Sequence, residues 1–108
     1  MQNDTGVREF QLLIEETFGE KDRARGLPGT FMWFTEEVGE LARALKRGEV
    51  DRENLVTEFG DVLAWLATLA SMAGVDMREA AARYMAGCPR CKGIPCTCGE
   101  KTRFVSGA

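Results

Sequence analysis

The sequence has 108 residues, a formal net charge of −3 and 44% hydrophobic residues, which is typical of one soluble globular domain. It contains no histidine, and this excludes histidine general bases, histidine-dependent nucleophiles and histidine-ligated metal sites. Carboxylates and thiols therefore remain as the candidate reactive groups. The overall charge predicts no broad binding to nucleic acid.

Apolar residues recur at helical spacing in four segments, which predicts an all-α, four-helix bundle-like fold. The predicted helices cover residues 7–20, 30–47, 51–73 and 76–86. Two glycines and a proline within residues 21–29 predict a loop between the first two helices.

Helix signals support these boundaries. Gly48 and Gly74 are placed to end the second and third helices. Asp51 is a good N-cap for the third helix, and Asp76 with Glu79 resembles a capping box for the fourth. No strand is predicted.

Charge and cysteine content change towards the carboxyl terminus. Residues 1–82 contain sixteen acids and nine bases, whereas residues 83–108 contain one acid and five bases. We therefore expect residues 1–87 to form the helical domain and residues 88–108 a basic, cysteine-rich tail.

The sequence also predicts where the protein resides. All four cysteines lie in residues 88–98, and this local cluster favours a reducing cytoplasm over a disulfide scaffold. The polar amino terminus gives no secretory signal. The longest uncharged stretch, residues 62–75, is shorter than the ~20 residues needed to span a bilayer, so no membrane partner is predicted.

The second and third predicted helices share a short pattern of acids. Each has two acids three residues apart with a glycine just before the second, Glu37 with Glu40 and Glu58 with Asp61. Acids at this spacing lie on one helix face about 5 to 6 Å apart. The matched glycines, Gly39 and Gly60, suggest that the two backbones approach closely.

Four inward carboxylates on two helices are a geometry by which helical bundles hold divalent ions. Acids on helices more often form a solvated face. Here the repeated pattern and the lack of counter-cations favour a metal site instead. No cation lies one turn from Glu58 or Asp61, although Glu40 can reach Arg43. Oxygen ligands predict Mg²⁺, with Mn²⁺ as a substitute, and such a site suits hydrolysis of a polyphosphate.

Residues 35–41 (TEEVGEL) and 58–66 (EFGDVLAWL) resemble the MazG-like nucleotide pyrophosphohydrolases of the all-α NTP pyrophosphatase superfamily. The family pattern E-x-x-E followed by E-x-x-D corresponds here to Glu37, Glu40, Glu58 and Asp61. The similarity extends over about residues 8–85.

The resemblance implies an enzyme that hydrolyses a (deoxy)nucleoside triphosphate between the α and β phosphates, in a house-cleaning or nucleotide-pool role. It implies that the four acids bind Mg²⁺ and that the protein is a homodimer or homotetramer. Two alternatives remain, an enzyme like phosphoribosyl-ATP pyrophosphohydrolase and a non-enzymatic zinc-binding interaction module. The first alternative lacks support because Trp65 lies where that group has a histidine after the aspartate.

Further residues are candidates for catalysis and substrate binding. Glu36 and Glu37 are candidate bases, and Glu36 is equally well explained as an extra ligand or a solvent-facing acid. Trp65 and Trp33 lie one turn from the acids and are candidates for stacking on a nucleobase, although core or interface roles are common for aromatic residues. Arg83 is a candidate phosphate contact.

Four thiols occur in eleven residues at Cys88, Cys91, Cys96 and Cys98. The first pair has the Cys-x-x-Cys spacing of zinc knuckles, whereas the closing Cys-x-Cys is less usual. We favour a structural zinc site made by all four thiolates over a redox-labile cluster or unliganded thiols. A catalytic role is not expected for this zinc, because four protein ligands leave no position for a water.

Overall fold

Three long helices, α1 (Val7–Arg25), α2 (Leu27–Lys46) and α3 (Arg52–Met72), precede a short helix α4 (Met77–Ala82). The computed structural model describes residues 5–47 and 51–99, and these ranges contain no strand. The predicted all-α fold is therefore confirmed. The helix stop predicted at Gly48 lies outside the described residues.

The junction between α1 and α2 is much tighter than predicted. The loop predicted for residues 21–29 is wrong, because α1 continues to Arg25 and Gly26 alone separates it from α2. Gly26 has a φ of 87°, which an L side chain rarely adopts. Pro28 lies in the first turn of α2, where the missing amide hydrogen costs no helical bond.

The start of α3 agrees with its sequence signal, whereas α4 is shorter than expected. The Asp51 side chain accepts a hydrogen bond from the backbone N–H of Asn54 at 3.2 Å. Helix α4 ends at Ala82, and tighter turns occupy residues 83–86. In these turns, for example, the N–H of Tyr84 donates to the carbonyl of Ala81, three residues back.

Helix α3 packs against both α1 and α2, and a buried glutamine joins α1 to the segment after α3. The Gln11 amide nitrogen donates to Ser71 Oγ and to the carbonyl of Val75. Its oxygen accepts from Arg8 and from the backbone N–H of Met77. The bonds to Ser71, Val75 and Met77 fix the end of α3 and the segment after it on α1, and the bond from Arg8 lies within α1.

The chain divides into two units, residues 1–77 and residues 78–108. The first unit contains α1, α2 and α3, and the second contains most of α4 and the cysteine loop. The division expected after residue 87 stays a prediction.

Few large apolar side chains are buried in the single chain. Within residues 5–47 and 51–99, the buried apolar residues are Ala44, Ala67 and Met77, whereas Leu13, Phe31 and Phe59, which belong to the predicted stripes, are each more than half exposed. Helix α3 is long and apolar enough to cross a membrane by length and composition alone, and only 11% of that window is buried. A wide apolar surface therefore remains open on α2 and α3.

Candidate functional site

Carboxylates from α2 and α3 converge on one place in the first unit. One oxygen from each of Glu37, Glu40 and Glu58 lies within 4.8 Å of the others. Asp61 does not belong to this group of three, although its charge acts on Glu37. The packing of α2 on α3 thus brings the two sequence pairs together, with Asp61 at the margin.

Among the described residues, no ion pair joins a cation to Glu37, Glu40, Glu58 or Asp61. The ion pairs in that part of the chain join Arg8 to Asp76 and Arg25 to Asp22, and the pair that the spacing allowed between Glu40 and Arg43 is absent. One carboxylate oxygen of Glu58, Oε1, is buried and has no hydrogen-bond partner among the described residues. A buried, unpaired oxygen on a residue that lies among other carboxylates fits a cation ligand.

The pKa of Glu37 is raised above its ordinary value of 4.5. Desolvation by burial is the largest cause, followed by the charges of Asp61, Glu40, Glu58 and Glu36. Both causes disfavour the ionised form. The charge of Asp61 thus raises the pKa of Glu37 even though Asp61 lies outside the group of three.

This shift predicts how the stability of the metal-free protein depends on pH. The folded state binds the Glu37 proton more tightly than the unfolded chain does, so the free energy of unfolding falls as the pH rises from about 4.5 through the raised pKa. Urea unfolding in a chelator across this range measures the fall. Glu37→Gln is expected to flatten it, and an identical slope in that variant would contradict the prediction.

The matched glycines do not have the role expected from the sequence. A Cβ at Gly39 or at Gly60 would meet nothing within 4 Å. The prediction that α2 and α3 approach closely at these positions is therefore wrong for the single chain, because both glycines face open space.

An aromatic and cationic cavity adjoins Asp61. The rings of Trp33 and Trp65 stack with centroids 6.4 Å apart and planes 10° apart. The Arg25 guanidinium carbon lies 4.9 Å from the centre of the Trp65 ring. The cavity has a volume of about 300 Å³, and its lining includes Phe18, Lys21, Arg25, Asp61, Trp65 and Thr68.

Buried polar groups hold Arg25 in place beside this cavity. Its Nη1 donates to Asp22 Oδ1 at 2.9 Å and to Thr30 Oγ1 at 3.1 Å. The second oxygen of Asp22 accepts from Thr68 on α3 at 3.2 Å. The sequence did not predict this cluster, because the glycines and proline in residues 21–29 indicated a loop, although the spacing of Asp22 and Arg25 is that of a helical ion pair.

The model of one protein family, described as the MazG nucleotide pyrophosphohydrolase domain, matches residues 28–90, more than half of the chain. The chain belongs to this family. The resemblance recognised in the sequence is thereby confirmed. Both acid pairs and both tryptophans lie within the matched MazG domain. No curated protein matches the chain.

The cysteine loop lies mostly beyond the MazG match, which ends at residue 90. The four sulfurs of Cys88, Cys91, Cys96 and Cys98 all lie within 4.8 Å of one another, and no disulfide joins them. Hydrogen bonds from the backbone N–H and side chain of Thr97, then from the N–H of Gly93, lower the pKa of Cys91 to about 5. The loop thus favours a thiolate at that position.

Arg83 belongs to the second unit of the chain. Its guanidinium carbon lies 5.6 Å from the centre of the Tyr84 ring. A contact between Arg83 and a substrate phosphate stays a prediction.

Proposed function

We propose that this MazG domain hydrolyses a nucleoside triphosphate between the α and β phosphates, with Mg²⁺ held by Glu37, Glu40, Glu58 and Asp61. The observation that carries the proposal is the buried, unpaired Glu58 oxygen within a cluster of uncompensated carboxylates. When bound, Mg²⁺ or Mn²⁺ would neutralise charge on the phosphates and lower the pKa of a water ligand.

The acids of the chain differ in what they offer to the reaction. Glu40, Glu58 and Asp61 would orient the phosphates through the metal, and their α-helices fix their mutual distances. Glu36 is exposed on α2 beside this group, so it is suited to accept a proton from the attacking water. Glu37 is the second candidate base, because its carboxylate belongs to the same cluster.

The cavity beside Asp61 is the proposed site for the nucleoside. Its volume of about 300 Å³ is at the lower end of small-molecule sites. Trp65 lines the cavity and is the proposed nucleobase contact, with Trp33 and Arg25 both packed on its ring. Lys21 and Arg25 place positive charge next to the acids, where they would meet the triphosphate.

The exposed apolar surface favours association of the MazG domain into a homodimer or homotetramer. The large apolar side chains left exposed on α2 and α3 include Phe31, Met32, Val56, Phe59, Leu63 and Leu66. A lipid partner is less favourable, because Glu58 and Asp61 within α3 would each cost about 3 kcal/mol at the centre of a bilayer.

Sedimentation equilibrium should give a multiple of 11.9 kDa, and Val56→Lys should shift the mass towards the monomer.

The proposed setting is the cytoplasm, where clustered thiols stay reduced, and the proposed role is maintenance of the nucleotide pool. The MazG match favours this enzyme over a non-enzymatic zinc-binding module. An activity like that of phosphoribosyl-ATP pyrophosphohydrolase is the second enzyme candidate.

A pyrophosphate-release assay tests the proposed function. Purified protein is incubated with Mg²⁺ and a panel of canonical and modified nucleoside and deoxynucleoside triphosphates, with phosphoribosyl-ATP included. We expect equal amounts of pyrophosphate and nucleoside monophosphate from at least one triphosphate. Release of orthophosphate, or no turnover of any compound by folded protein, would overturn the proposal, and turnover of phosphoribosyl-ATP alone would select the second candidate.

A further inference from the structure

We propose that Cys88, Cys91, Cys96 and Cys98 form a structural tetrathiolate site for a zinc ion, outside the machinery of the MazG domain. The family match ends at residue 90, so three of the four thiols lie beyond the part of the chain that this domain explains. All four cysteines belong to the second unit, whereas the carboxylate cluster of Glu37, Glu40 and Glu58 belongs to the first.

The distances between the sulfurs fit one tetrahedral ion. Zinc–sulfur bonds of about 2.3 Å at tetrahedral angles separate the ligand sulfurs by about 3.8 Å. The sulfurs of Cys88 and Cys98 lie 3.9 Å apart, and those of Cys91 and Cys96 lie 4.0 Å apart. A disulfide requires about 2.05 Å, so neither pair is arranged as one.

Backbone amides aimed at the sulfurs are an independent observation. The N–H groups of Gly93 and Thr97 both donate to Cys91 Sγ at 3.4 Å. The N–H of Arg90 donates to Cys88 Sγ at 3.4 Å, and the N–H of Cys98 donates to Cys96 Sγ at 3.2 Å. Such donors stabilise negative sulfur and orient it, which is the role of outer partners around metal ligands.

The loop is folded so that these amides can reach the sulfurs. The N–H of Lys92 donates to the carbonyl of Cys88 at 2.7 Å, and the N–H of Cys88 donates to the carbonyl of Gly93 at 3.1 Å. A Cβ at Gly87, which has a φ of 104°, would lie 2.9 Å from that same carbonyl oxygen. Glycine at this position therefore allows the chain to close around the first Cys-x-x-Cys pair.

The four thiolate ligands indicate which ion binds and what role it has. Thiolate ligands select soft or borderline ions such as zinc, whereas Mg²⁺ prefers oxygen, so the two clusters of this chain discriminate between metals. Four protein ligands complete a tetrahedral shell and leave no position for water or substrate. The site is therefore structural, and its binding energy contributes to ordering the second unit.

Metal analysis of the full chain tests this proposal without measuring activity. We expect one zinc ion per chain after purification without added metal, and release of that zinc when a mercurial reagent titrates the thiols. Exchange for Co²⁺ should give the absorption of a tetrahedral thiolate complex. Iron in place of zinc, four freely reactive thiols without metal, or a mass 4 Da lower from two disulfides would each overturn it.

Variants of Cys98 separate metal ligation from general disruption of the loop. Cys98→Ser should weaken zinc binding by at least about tenfold, since even the loss of an outer partner of a ligand costs that much. Cys98→His should retain zinc, because imidazole can replace a thiolate. Ile94→Val, a change at an exposed position in the same loop, is the control and should bind zinc like the parent protein. Equal zinc content in Cys98→Ser and the parent would overturn the proposed ligand set.

Discussion

Glu58→Gln is expected to lower kcat/KM for the best triphosphate substrate by about 100-fold or more. The change keeps the shape of the side chain but removes the charge at the one cluster oxygen that is buried without a partner. Metal-assisted charge stabilisation contributes several kcal/mol, and each 1.4 kcal/mol corresponds to about tenfold in rate. Initial rates of pyrophosphate release at varied substrate and Mg²⁺ concentrations measure the effect.

The matched control is Glu53→Gln, on the same helix but in its first turn and exposed. It removes the same charge from α3 and is expected to change kcat/KM less than about twofold, because an exposed charge there interacts weakly. Calorimetric titration with Mg²⁺ should show weaker binding for Glu58→Gln only. Equal activity of the two variants would contradict the assignment of Glu58 as a ligand.

Gln11→Leu is expected to reduce the free energy of unfolding by about 3 kcal/mol. Gln11 is completely buried, and its four hydrogen bonds satisfy groups on Ser71, Val75, Arg8 and Met77. A leucine of similar size leaves the Val75 carbonyl and the Met77 amide unpaired, and each buried unpaired group costs about 1 to 3 kcal/mol. Urea unfolding followed by circular dichroism measures the loss.

Glu16→Gln, an exposed change on the same helix, is the control for Gln11→Leu and should alter the free energy of unfolding by less than about 0.5 kcal/mol. A loss of similar size in both variants would show that the Gln11 bonds do not anchor α3 to α1.

Periodicity and capping predicted four helices and placed two acids on each of the second and third. Asp51 begins α3 as expected, because a local side-chain bond fixes that end. The spacing of each acid pair places it on one helix face, and the packing of α2 on α3 brings Glu37, Glu40 and Glu58 together. Local sequence rules therefore describe the features that depend on neighbours a few residues apart.

The features that depend on distant residues were not predictable. The length of α1 was underestimated because the partners of Asp22 include Thr68, far along the chain. The sequence did not predict that Gln11 is buried and hydrogen-bonded, because its partners Val75 and Met77 lie after α3. The exposure around Gly39 and Gly60 depends on how α2 and α3 are rotated about their axes, which the sequence pattern does not define.

The stacked pair of Trp33 and Trp65 is an intrinsic fluorescence probe of the proposed site. These are the only two tryptophans in the sequence, and both contribute to one ring pair beside the proposed site. Arg25 rests on one of them and Asp61 shares its cavity. The tryptophan fluorescence, as distinct from that of Tyr84, therefore arises entirely from this place, so metal and nucleotide binding can be followed on the unlabelled protein.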